Sequence, residues 1–376
     1  MKNIYVTKPY LPEIEKYEKY LEEIWQNGIL TNKGVLHNKL IEKLANKLDT
    51  NVSNINLFCN GHSALEWALK SLNLKKGGEI ITTPFTFVST THAIVNGGFK
   101  PVFCDIKESN MTIDESKVED LITDKTVAIL PVHVYGFSCD TEKLAQIASK
   151  HNLKLVYDAA HAFGVKKDGK SILLNGDVSM VSFHATKIFN TIEGGMTISR
   201  EQEVAERQGI LENFGITDYE DVGMIGGNSK MNEFCAAMGL ATIDDLEKVI
   251  EKRQKLVEIY KENLLPIEGI KTYCEEEANI KQNYAYFPIR VNKEEYGLSR
   301  DELKTVLEEN GIYPRKYFYP LTSDVSCYNG RFASSKLDTA RKVSEEILTL
   351  PIYYDLEEEQ VGRICKVLQK KRWDTI

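Results

Sequence analysis

The chain has 376 residues, 42% hydrophobic and 27% charged, with a formal net charge of −8, an ordinary globular composition long enough for one large domain and a smaller one. The acidic balance argues against nucleic acid or an anionic membrane as partner, and the basic run Lys370-Lys371-Arg372 is too short to change that. No apolar run nears the roughly 20 residues of a membrane helix, and the seven cysteines at 59, 104, 139, 235, 274, 327 and 365 include no Cys-x-x-Cys pair, so with no signal peptide at the N-terminus free thiols in the cytoplasm are expected.

Residues 1–12 carry two prolines and a short extended run, which reads as an arm. Ile14, Tyr17, Leu21, Ile24 and Trp25 form one stripe and predict a helix over 13–26, stopped by Gly28. Leu36, Leu40, Leu44 and Leu48, at spacing four, predict a second helix. From about residue 55 strands and helices alternate. Strands are expected at 55–59, 79–83, 101–105, 127–134, 153–157, 178–183 and 196–199, with helices near 64–72 and from 141. Mostly apolar strands separated by helices imply a sheet covered on both faces. After about residue 250 the pattern changes. One long helix is expected over 232–263, then a strand at 284–291 and helices at 299–310 and 356–369. This divides the chain into a large α/β domain, 1–245, and a small α+β domain, 246–376.

Ligands of open α/β sheets sit beyond the carboxyl ends of the strands, and four stretches place chemistry there. Asn60-Gly61-His62-Ser63 joins a strand to a helix N-terminus, which is either an anion site or an ordinary capped helix. Thr83-Pro-Phe-Thr-Phe87 ends a strand with an aromatic that could stack on a flat ring or belong to the core. Asp158 closes an apolar strand, with His161 three residues on. A carboxylate there suits a positively charged ring nitrogen, or else caps the next turn. In Val181–Gly195, Lys187 has Phe183, His184, Asn190 and Thr191 at i±3 and i±4 and no charged neighbour. Such an ammonium tends to lose its proton, and the free amine attacks carbonyls. The alternative is a lysine snorkelling at a helix end. Gly226-Gly227-Asn228 is by itself only a glycine loop before a helix.

Taken in order, these stretches resemble the DegT/DnrJ/EryC1/StrS family, the sugar-nucleotide aminotransferases. The shared wording is N-G-x-S-A-L (60–65), T-P-F-T-F-V (83–88), D-A-A-H-A-F-G (158–164), S-F-H-A-T-K-x-F-N-T-x-E-G-G (182–195), G-G-N-S-K-M-N-E (226–233) and L-P-I-Y (350–353). The resemblance implies a fold-type-I enzyme of pyridoxal 5'-phosphate, with a mostly parallel sheet of the seven-stranded type and a small C-terminal domain. It implies that Lys187 binds the cofactor covalently, that Asp158 pairs with its ring nitrogen and that His161 lies near its ring oxygen. Phe87 would stack on the ring, and Gly61, His62, Ser63 and Ser182 would cup the phosphate. Asn228 would reach the phosphate of the neighbouring subunit, making a homodimer with shared sites. Relatives usually carry threonine where this chain has His62, and Ser63 could then supply the hydroxyl. Tyr10, Thr31, His184 and Tyr317 would line the sugar site.

The wording around Lys187 resembles the branch of the family that forms dTDP-4-amino-4,6-dideoxyglucose. It implies transfer of an amino group from L-glutamate to C4 of dTDP-4-keto-6-deoxyglucose, in deoxysugar and O-antigen biosynthesis. A 3-aminotransferase on a dTDP-3-keto-6-deoxyhexose is the alternative. A second alternative, of another class, is a regulator that binds the cofactor without turnover, although the first 50 residues show no basic recognition helix.

Overall fold

The computed structural model describes residues 3–273, 279–332 and 336–370. Cys274, Lys371 and Arg372 lie outside them. The centre is a sheet of seven strands: β1 (Ile55–Phe58), β2 (Glu79–Thr82), β3 (Lys100–Phe103), β4 (Thr126–Leu130), β5 (Lys154–Asp158), β6 (Val178–Ser182) and β7 (Gly195–Ser199). Their spatial order is β1-β7-β6-β5-β4-β2-β3. The pairs from β6 through β3 are parallel; β7 runs antiparallel to both β6 and β1. Almost every strand residue is buried, as a sheet covered on both faces requires.

After two helices, α1 (Ile14–Asn27) and α2 (Val35–Leu48), β1 runs through Asn60 into α3 (Gly61–Ser71), where Asn60 Oδ1 accepts from the Ser63 N–H at 2.8 Å. Ala64, Leu65, Ala68 and Leu69 of α3 face the core. The start of α3 lies hard against the far end of β6: a Cβ on Gly61 would sit 3.0 Å from Ser182 Cβ. Gly195, which opens β7, is equally constrained, since its Cβ would meet the Asn60 carbonyl oxygen at 2.5 Å. Glycine is needed at both places for close backbone approach. β6 and β7 are neighbours, so the Lys187 segment is the connection between two adjacent antiparallel strands.

The helix expected over 232–263 is two helices. One spans Glu233–Thr242 and the other Leu246–Leu264, with a 3-10 turn at Ile243–Asp245 between them. Nine of the ten residues of the first are buried, all but Phe234, whereas the second buries one stripe. Thr242 Oγ1 bonds back to the Met238 carbonyl at 2.9 Å and also reaches the Asn190 carbonyl. Such back-bonding loosens and bends a helix. Beyond it Leu256, Tyr260, Phe287, Ile289, Leu348 and Ile364 form a separate core around the three strands Ile270–Thr272, Phe287–Val291 and Ile347–Leu350. The arm reaches this unit, because Ile4–Tyr5 pairs in parallel with Ile312–Tyr313. Several elements carried no clear signal: α4 (Val88–Asn96), the helices Gln202–Leu211 and Asp338–Glu346, and the hairpin Ile216–Val222. Among the described residues no helix is long and apolar enough to cross a membrane.

Candidate active site

A cleft of about 310 Å³ opens at the carboxyl ends of β1, β2, β5 and β6, within the range of small-molecule sites. Its walls include Gly61, His62, Phe87, Asp158, His161, Ser182, His184, Lys187 and Tyr317. These nine residues come from five stretches of chain, four of which follow strand ends of the large sheet.

One end of the cleft is built to hold an anion. The first N–H groups of α3, those of Gly61 and His62, have no acceptor within the helix. The positive end of the helix dipole lies there too. The Ser182 side chain stands against Gly61. His62 Nδ1 lies 2.8 Å from Ser89 Oγ, and its Nε2 lies 3.2 Å from Glu66. The Glu66 carboxylate raises the pKa of His62 above its usual value, against the opposing effect of burial. Ser63 does not line the cleft; its hydroxyl sits beside Cys59 Sγ. Ser89, in the first turn of α4, brings a hydroxyl to the cleft beside His62.

The other end presents a buried carboxylate. Asp158 is 4% exposed. Its Oδ2 accepts from Thr90 Oγ1 at 2.7 Å and its Oδ1 from the Ala160 N–H at 3.1 Å. Thr90 is in turn bonded to Thr86 at 2.9 Å. Burial raises the Asp158 pKa, with Thr90, the Ala160 amide and Lys187 pulling it down. Thr90 carries no sequence signal of its own, because α4 has no apolar period to place it.

Lys187 lies in the β6–β7 connection, not at a helix end, so the snorkelling alternative does not describe it. Its Nζ is 3.5 Å from the Tyr286 hydroxyl and 5.7 Å from the centre of that ring. The aromatics Phe163, Phe183 and Phe189 pack against one another below the loop, with centroids 4.8–5.4 Å apart. Asn190 donates to the Tyr10 carbonyl at 3.0 Å. The F-N-T wording therefore anchors the lysine loop. His184 is exposed at the cleft mouth, with Nδ1 2.9 Å from Thr186 Oγ1 and Nε2 3.6 Å from Glu193. Phe87 caps α4 and is 59% exposed to the cleft. Tyr286, Phe318 and Glu193 also line the cleft.

Three other residues expected at the site are not brought to this cleft. Tyr10 is buried, with its hydroxyl bonded to Asp245 at 3.0 Å. Thr31 is exposed on the turn before Val35–Leu48. Asn228 is exposed in the glycine loop, where its Oδ1 accepts from Lys230 at 2.9 Å.

The sequence profile of the DegT/DnrJ/EryC1/StrS aminotransferase family matches residues 12–369. The dTDP-4-amino-4,6-dideoxy-D-glucose transaminases of Shigella dysenteriae and Escherichia coli are each 42% identical to this chain. The alignments run over 369 and 374 residues, 98% of this chain and 99% of theirs. Among solved structures, DesI in the presence of its TDP-sugar product has a TM-score of 0.92 at 28% identity, over 98% of this chain and 92% of that one. The residues fit the family's cofactor on structural grounds. An anion cradle at one end suits a phosphate, a buried carboxylate at the other suits a pyridinium nitrogen, and an amine and an exposed aromatic stand between them. The chain belongs to the DegT/DnrJ/EryC1/StrS aminotransferase family and is a pyridoxal-phosphate-dependent aminotransferase.

Proposed function

We propose that this enzyme moves an amino group from L-glutamate to C4 of dTDP-4-keto-6-deoxyglucose. The observation that carries the choice of sugar is the 42% identity, end to end, with two transaminases named for dTDP-4-amino-4,6-dideoxy-D-glucose. The product would serve O-antigen assembly, and the enzyme would work in the cytoplasm. We divide the chain at residue 245, within the 3-10 turn that separates the two helices.

Bound in the cleft, the cofactor supplies a carbonyl that takes up the amine and an electron sink for the proton shift. Lys187 would hold it covalently, and its freed Nζ would move the proton between the Cα of the amino donor and the cofactor's carbonyl carbon. Asp158 keeps the ring nitrogen protonated, and burial makes that carboxylate depend on a cationic partner. Gly61, His62 and Ser182 would hold the phosphate, Phe87 would cover the ring, and His161 would lie near the ring oxygen. His184 and Tyr317, at the mouth, bear on the sugar, whose carbonyl must come within about 3–3.5 Å of the amine.

Asn228 serves the site of a second copy in a two-fold homodimer. Two observations support this. Asn228 stands exposed and outside its own chain's cleft. The loop around it also exposes Phe214, Tyr219, Val222 and Ile225, with Tyr219 at 99%, a grouping of exposed apolar side chains of the kind that marks interaction surfaces. By the same reading Tyr10 and Thr31 act from outside the cleft walls. The test is incubation with L-glutamate and dTDP-4-keto-6-deoxyglucose, followed by NMR of the product. An amine at C4 is expected. An amine at C3, from a 3-keto substrate and with no turnover of the 4-keto one, would refute the regiochemistry and leave the aminotransferase standing.

A further inference from the structure

His161 is 8% exposed, on the turn that follows β5. Its Nδ1 lies 3.0 Å from the backbone nitrogen of Tyr135, whose N–H points at it. A backbone amide can only donate, so Nδ1 must accept, and an imidazole that accepts at Nδ1 carries its proton on Nε2. The arrangement is built from both sides. Tyr135 has a left-handed backbone, φ 57°, unusual for a bulky residue and characteristic of functional sites. In the same turn the Gly136 and Phe137 amides bond to the carbonyls of His133 and Val134, whereas that of Tyr135 is given to the histidine. Tyr135 is itself 2% exposed, with its hydroxyl on the Tyr317 carbonyl. On the other side, the buried Asn283 donates to the carbonyls of His161 and Phe163 at 2.7 and 2.9 Å. The His161 ring is packed against Tyr286, 4.8 Å away, and lies parallel to Phe318 at 5.9 Å.

We infer that His161 serves this site as a fixed, neutral Nε2–H hydrogen-bond donor, not as an acid or base, and that Tyr135 is the positioning residue that sets its tautomer. The inference rests on the reading of the cleft as an aminotransferase site and says what one of its walls contributes. The charged and titratable groups around the ring agree with it. Lys187, across the cleft, and burial both hold the imidazole well below its usual pKa. Asp158 is engaged by Thr90 and Ala160; burial raises the pKa of the Tyr135 and Tyr317 phenols, and Tyr286 packs its ring against the imidazole. Protonating Nδ1 would set two N–H groups against each other. Proton transfer is thereby left to Lys187, and the hydrogen bond that His161 offers is the same across the working pH range.

The decisive measurement uses the full chain, free of cofactor, labelled with 15N-histidine. Long-range 1H–15N spectra are recorded from about pH 5.5 to 8.5, and the His161 signal is identified by its loss in His161→Gln. We expect Nδ1 unprotonated and Nε2 protonated, both unchanged over that range. A midpoint inside the range, or a proton on Nδ1, overturns the inference. Binding of pyridoxal phosphate gives a second readout. Glutamine can accept from the Tyr135 amide and donate to the cleft at once, so His161→Gln should bind within about twofold of wild type, whereas His161→Leu should bind about tenfold more weakly. Equal weakening in both variants would refute the donor role. Failure of the amination reaction itself would sink the functional reading without moving the histidine spectra.

Discussion

Thr90→Val tests how the cleft manages its buried carboxylate. The substitution keeps the shape of the side chain and removes the hydroxyl that donates to Asp158 Oδ2 at 2.7 Å. Burial raises the Asp158 pKa, so the folded protein holds this proton more tightly than the unfolded chain does. Ionising the carboxyl therefore subtracts stability as pH climbs from the usual carboxylate range through the folded pKa, and the loss is complete above it. Thr90 opposes the loss only while Asp158 is charged. A hydrogen bond to a charged group contributes about 1.5–3 kcal/mol. At about 2.1 cal/mol/K per residue, a chain of this length unfolds with an entropy of about 0.8 kcal/mol/K, so the bond amounts to about 2–4 °C in Tm. Thr86 loses its acceptor as well, but that penalty is the same at every pH. Melts of cofactor-free wild type and variant are compared at pH values stepped from about 3.5, below the usual carboxylate pKa, to about 8. The gap between them should widen by about 2–4 °C at the higher pH. A gap of equal size at both ends of the range would show that Thr90 acts through packing alone and that Asp158 does not depend on it.

Lys187→Ala should fold as wild type but form no borohydride-stable adduct with the cofactor, as read by intact mass; an adduct of wild-type yield would place the covalent anchor elsewhere. Mixed dimers of Lys187→Ala and Asn228→Ala should be more active than either parent, because one of their two sites combines an intact Lys187 with the other chain's intact Asn228; activity that never exceeds that of the parents would mean Asn228 serves its own chain. Glu212 is buried with Lys33 Nζ 2.7 Å away, and burial raises its pKa from 4.5 to about 7. Wild type should then lose about 3 kcal/mol of stability between pH 4.5 and 7 through this group, and denaturant titrations of Glu212→Gln should show a pH slope smaller by that amount. Identical slopes would assign the dependence to other groups.

What the sequence determined by itself was whatever depends on neighbours along the chain. Asn60 followed by Gly61 marks a helix start and Asp158 closes a strand, because caps and strand ends are set by a few consecutive residues. The apolar runs located all seven strands of the large sheet for the same reason, since burial on both faces leaves a mark in each strand. Tertiary structure alone decided which side chains meet. Successive helix residues point about 100° apart, so at the start of α3 His62 turns to the cleft and Ser63 to Cys59, a choice invisible until the helix is docked on β6. Thr90 reaches Asp158 across 68 positions and the Tyr135 amide reaches His161 across 26, and no local pattern encodes either bond. Tyr10 lies buried at Asp245 because Asn190 and Asp245, both far along the chain, draw the arm there. The helix expected over 232–263 breaks for a like reason. Its first half is buried on nearly every side and its second on only one stripe, and the Thr242 hydroxyl at the break reaches the Asn190 carbonyl, 52 positions away, a contact that the helical pattern by itself does not show.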